Sequence, residues 1–100
     1  MNILQEIETI IKTTLPDAMI LVHNINDDGE HFEAVVISAS FNGMPLLKQH
    51  QQIMTPLREA FDERVHALGL KTFSLDKWEQ KKDNHPMIES LIKEKYGHDK

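Results

Sequence analysis

The chain has 100 residues, 40% of them apolar, which allows one compact domain with a single core and leaves no material for a second. Sixteen acids against eleven lysines and arginines give a net charge of -5, which works against tight non-specific binding to nucleic acid, because that binding depends on neutralising phosphates. With no cysteine, the chain by itself has no disulfide, no cysteine nucleophile and no thiolate metal site, so any metal chemistry falls to histidine, carboxylate or a partner's sulfur.

The amino terminus, MNILQEIETIIK, carries Glu6 and Glu8 and lacks the basic start and long apolar run of a signal peptide. Its apolar runs are far shorter than the roughly 20 residues of a membrane span. The expectation is a soluble, cytoplasmic protein with no membrane partner. Ile3, Leu4, Ile7, Ile10, Ile11 and Leu15 recur at helical spacing and predict an amphipathic helix ending near Thr14, where Pro16 disfavours helical geometry at Leu15. The branched run that follows predicts a strand from about Ala18 to Ile25.

Asn26-Asp27-Asp28-Gly29 is a hairpin signal, so the next run, GEHFEAVVISASF, is read as an antiparallel neighbour. Its two-residue period sets Phe32, Ala34, Val36 and Ser38 on one face, packed on helices. His31, Glu33, Val35, Ile37 and Ala39 fall on the other, expected to be only partly dry. Pro45 suits the first turn of a helix with a stripe of Leu46, Leu47, His50, Ile53 and Met54. Pro56 is read as breaking it and opening a second short helix, with Leu57, Ala60 and Phe61 inward.

Val65 to Phe73 is read as a third strand, with His66, Leu68, Leu70 and Thr72 on one face. Ser74 is a candidate N-cap for a helix carrying Leu75 and Trp78. A last helix is predicted from about Pro86 to Tyr96, docked weakly or frayed. The order helix-strand-strand-helix-helix-strand-helix, with an appended C-terminal helix, makes an α+β domain: a three-stranded sheet with helices on one face. Residues 1–82 are taken as the domain and 83–100 as a helical extension.

Enzyme signatures are missing. The acids Asp27, Asp28, Glu30 and Glu33 read as a solvated turn, with no positioned base or desolvating partner. Gly43 and Lys48 do not make a phosphate loop, Ser38 and Ser40 sit in no nucleophile elbow, and HExxH is absent.

Several motifs together carry a family resemblance: GEHF at the second strand, Phe41-Asn42-Gly43 followed by His50, Val65-His66-Ala67-Leu68, and Lys77-Trp78. Over about Ile3 to Trp78 the chain resembles the BolA family. The resemblance implies a fold similar to the class II KH domain, no enzymatic activity, and an adaptor that pairs with a monothiol glutaredoxin. It also implies that the pair shares a bridging 2Fe-2S cluster with glutathione, in iron-sulfur trafficking or in iron and redox regulation. His66 matches one ligand position of the family, and His31 is the matching candidate near the first hairpin. From spacing alone His66 reads as a hydrogen-bonded strand-end histidine and His31 as a solvated strand start, while His50 reads as structural; His23, His85 and His98 receive no role.

The rival implication is a BolA-type DNA-binding transcription regulator in a stress response. Its nucleic-acid contacts would come from Lys48, His50, Arg64, Lys71, Lys77, Lys81 and Lys82. The family's frequent Arg-His-Arg is here Gln49-His50-Gln51, so two cations are missing, and Met54-Thr55-Pro56-Leu57 lacks the GxxG loop by which KH folds clamp single strands. A homodimer is compatible with the sequence.

Overall fold

The first periodic stretch forms helix α1, Ile3–Thr14, in the computed structural model, which describes residues 2–24, 31–61 and 68–97. Its start is a reciprocal capping box: the Asn2 side chain accepts from the Gln5 N–H at 2.9 Å and the Gln5 side chain accepts from the Asn2 N–H at 3.1 Å. Strands β1 (Met19–Asn24) and β2 (Phe32–Ser38) pair antiparallel, with Met19 opposite Ile37 and Asn24 opposite Phe32. The turn expected at Asn26 to Gly29 lies outside the described residues, as does Ile25 at the end of the expected first strand.

β2 stops at Ser38, short of the expected Phe41, because the Ser38 hydroxyl accepts from the Ser40 N–H and turns Ala39–Phe41 into a 3-10 helix that tucks Phe41 into the core. Gly43 follows at φ +78, with open space where a Cβ would stand. Its need is for the left-handed backbone and not for room. Helix α2 (Leu46–Phe61) then crosses to β3 (Gly69–Ser74), which pairs parallel with β2, Glu33 beside Gly69 and Ser38 beside Ser74. A parallel pair requires such a crossover, and the strand order is β1-β2-β3. Helices α3 (Leu75–Lys81) and α4 (Pro86–Tyr96) complete the α+β architecture.

Both faces of the sheet carry helices, where one was expected. On the inner face Phe32, Ala34 and Val36 pack with Ile7 and Ile11 of α1 and Ile53, Leu57 and Phe61 of α2. On the outer face, read from sequence as partly dry, Val35 and Ile37 are sealed by Trp78 of α3 and Ile92 of α4. The final helix therefore packs against the outer face and is tied to β1: the Ile20 N–H donates to the Tyr96 hydroxyl at 3.0 Å, and Lys95 Nζ donates to the Ile20 carbonyl at 2.7 Å.

The middle of the chain departs most from local rules. Pro56 does not break the helix; α2 runs through it as one helix. An interior proline costs about 3 kcal/mol. The buried line Gln49, Ile53, Leu57, Phe61 continues across it at four-residue steps, and burying Leu57 and Phe61 returns about 1.5–3 kcal/mol each. The buried stripe is also rotated from the one expected: Leu46 and Leu47 are 59% and 69% exposed, and Ala60 is exposed. β3 begins at Gly69, with Leu68 outside it, and Val65 to Ala67 lie outside the described residues.

Candidate functional site

The antiparallel hairpin and the parallel β2–β3 pair bring three strand ends together: the end of β1 at Asn24 and the starts of β2 and β3. His31 is exposed immediately before Phe32, at this end of the sheet. His66, the other expected ligand, and Arg64 of the expected nucleic-acid face lie outside the described residues, as do Asp27, Asp28 and Glu30 of the acidic turn.

On the outer face beside His31 stands a polar row that crosses all three strands. His23 Nε2 donates to Glu33 Oε1 at 3.0 Å, and Lys71 Nζ approaches Glu33 Oε2 at 3.8 Å. Sequence reasoning assigned no role to His23, placed Glu33 in a solvated cluster and placed Lys71 on a nucleic-acid face. The two-residue period alone set Glu33 on this face. His23 as its partner follows only once the register opposes the two residues.

Among the described residues no group of three or more histidine, cysteine, aspartate and glutamate side chains converges on a metal position.

The opposite end of the sheet is held by Asp17. Its carboxylate accepts from the Ser38 hydroxyl at 2.9 and 3.0 Å, the Ala39 N–H at 3.1 Å and the Ser40 hydroxyl at 3.2 Å. Burial pushes this carboxyl up, but the hydrogen bonds from Ser38, Ala39 and Ser40 together outweigh it and hold the group below its usual range. Ser38 and Ser40 thus anchor a turn.

Nearby, Ser74 caps α3 as expected, its hydroxyl accepting from the Lys77 N–H at 3.3 Å. The Ser74 hydroxyl in turn donates to Asp76, which chiefly accounts for that exposed carboxyl lying below its usual range.

The expected nucleic-acid residues do not share one layer. Lys48, exposed, and His50, half-buried, ride on α2 at the inner face, whereas Lys77 and Lys81 belong to α3 and Lys82 follows it, all at the outer face with Lys71. Lys71 faces Glu33, and Lys82 pairs with Glu79 at 2.9 Å, a hydrogen bond that is the main cause of its raised pKa. Gln49, read as a cation lost from the basic motif, is only 7% exposed: its amide donates to the Met44 carbonyl at 2.8 Å and accepts from the Thr72 hydroxyl at 2.7 Å. It ties the start of α2 to β3. His85, another histidine without an expected role, stacks on Trp78 with centroids 6.2 Å apart and meets Phe73 edge-on at 5.4 Å.

Among the described residues no helix is long and apolar enough to cross a membrane. The model of the BolA-like protein family matches residues 10–77. The chain is 34% identical over 71 residues to the acid stress protein IbaG of Escherichia coli K12, covering 68% of this chain and 83% of that one. It is 37% identical over 62 residues to the DNA-binding transcriptional regulator BolA of the same organism, covering 61% and 59% of the two chains. The solved structure of a bolA protein homologue from Coxiella burnetii superposes with a TM-score of 0.63 at 34% identity, over 79% of this chain and 99% of that one. With the motifs, the sheet topology and these likenesses in agreement, the chain belongs to the BolA-like family.

Proposed function

We propose that this chain is a non-enzymatic adaptor that binds a monothiol glutaredoxin and shares a 2Fe-2S cluster with it and with glutathione, His66 and His31 being the ligands from this side. The observation that carries the reading is the parallel register, Glu33 beside Gly69, in a chain of this family: His31 and His66 precede those partners by two and three residues in the sequence. A cluster of this kind takes thiolate or imidazole as terminal ligands, and imidazole raises its potential. The chain's own part is to present histidine from a rigid sheet end, with the His23–Glu33–Lys71 row bracing the strands beside it.

Anaerobic reconstitution with a monothiol glutaredoxin and glutathione, followed by gel filtration with visible absorption and circular dichroism, tests the reading. The expected result is a coloured mixed complex with a spectrum unlike that of the glutaredoxin alone, changed by His66→Ala and, separately, by His31→Ala. Separate elution removes the adaptor function, and an unchanged spectrum in either variant removes that ligand.

A second reading, a DNA-binding regulator, has in its favour the likeness to the Escherichia coli DNA-binding transcriptional regulator BolA. Against it stand the split of the basic residues between two layers and the burial of Gln49. This reading predicts affinity that falls steeply with salt and weakens when Lys81 and Lys82 are neutralised, and absence of binding at low salt eliminates it.

A further inference from the structure

The last helix does more than cover apolar surface. β1 is an edge strand, and its residues Met19–Asn24 include no lysine, arginine, aspartate or glutamate. An uncharged edge rich in branched side chains is a template for another strand. In such a strand the main-chain groups of alternate residues point away from the sheet. At Ile20 both are taken by α4, the N–H by the Tyr96 hydroxyl and the carbonyl by Lys95 Nζ. Two residues earlier, Lys12 Nζ of α1 donates to the Ala18 carbonyl at 2.9 Å. Lys95 also pairs with Glu8 at 2.7 Å, and the Lys95 and Lys12 ammoniums lie 5.4 and 5.8 Å from the centre of the Tyr96 ring. Residues from both ends of the chain thus form one connected cover over the edge.

We infer that α4 guards the β1 edge, and that the guarded strand is a pairing site for a second copy of this chain, β1 against β1 in antiparallel. The strand itself argues for that occupant. A two-fold axis normal to the sheet keeps each residue on its own face, so Ile20 and Val22 extend the inner apolar surface and Met19 and Leu21 the outer one. Met19–Asn24 itself brings no lysine, arginine, aspartate or glutamate to the match. The inference is independent of the cluster-sharing function.

The test is the full chain carrying Lys95→Met with Tyr96→Phe, which removes the three hydrogen bonds these side chains make to Ile20 and leaves Ile92 in place. Self-association is read by light scattering over a range of concentrations, with hydrogen exchange at the Ile20 amide. Wild type is expected to stay monomeric with a protected Ile20 amide. The variant is expected to associate more tightly by on the order of tenfold or more, the factor that released hydrogen-bonding groups supply, and to regain protection at Ile20 as it dimerises. Adding Val22→Pro, which deletes an outward N–H from the edge, restores the monomer. A folded variant, judged by the near-ultraviolet signal of Trp78, that stays monomeric throughout overturns the inference. Tyr96→Phe alone keeps the ring and its packing; if even that change unfolds the chain, α4 is a requirement of the fold and not a guard.

Discussion

The two faces of the sheet are built differently. The inner face is a dense apolar layer in which Ile7, Ile11, Ile20, Phe32, Val36, Phe41, Ile53 and Leu57 are all essentially inaccessible, drawn from α1, β1, β2, the 3-10 turn and α2. The outer face has a smaller sealed patch of Val35, Ile37, Trp78 and Ile92, and beside it the polar row His23–Glu33–Lys71. The inner layer holds the fold, while the outer one leaves polar groups next to His31. A domain this small buries a smaller share of its surface than a large one, and the polar row lies at the less completely sealed face.

The comparison is broken most directly from the inside. Phe32→Ala is expected to destabilise the chain by about 3–5 kcal/mol, as a large side chain removed from a packed layer does, measured by chemical denaturation. Ile92→Ala on the outer face should cost less, about 2 kcal/mol, because α4 can settle into the gap. Hydrogen exchange sharpens the contrast: Ile92→Ala should raise exchange at the Ile20 amide and in α4 while leaving α1 amides nearly unchanged, and equal loosening of both layers would deny their separate roles.

Smaller effects are expected where the two faces meet the turns. Gly43→Ala forces a side chain onto a φ of +78 and should cost about 1–2 kcal/mol with the core untouched, seen as an unchanged Trp78 signal and a lower denaturation midpoint. Asp17→Asn should have the least effect, below about 1 kcal/mol, because the group is exposed and screened. Its sign with pH is definite. The folded-state pKa lies below the ordinary 3.8, so the stabilisation is fully present above that value and disappears as pH falls through the lowered folded value. Wild type and Asp17→Asn should therefore differ in stability at neutral pH and converge in strong acid; a constant difference would show that charge is irrelevant to this anchor.

What sequence reasoning reached and what it missed divide along the same line. α1, the Ser74 cap, the Pro86 start of α4 and the alternation of β2 all depend on residues within a few positions of one another, so spacing and caps were enough to read them. The candidate site was legible only in part. Motifs singled out His31 and His66, but His23 became relevant only through its register opposite Glu33.

Sequence by itself therefore determined the kind and order of nearly every element, the family, and which residues of β2 share a face. Tertiary structure decided that α2 continues through Pro56, because the burial of Leu57 and Phe61 lies against strands elsewhere in the chain. It decided that the polar Gln49 belongs inside, since its partner Thr72 comes from β3. It also decided that the outer face is covered, by a helix whose Tyr96 reaches Ile20 across 76 positions of chain. Local patterns register a residue's own preference, whereas these three outcomes are set by partners that only folding brings within hydrogen-bonding or van der Waals range.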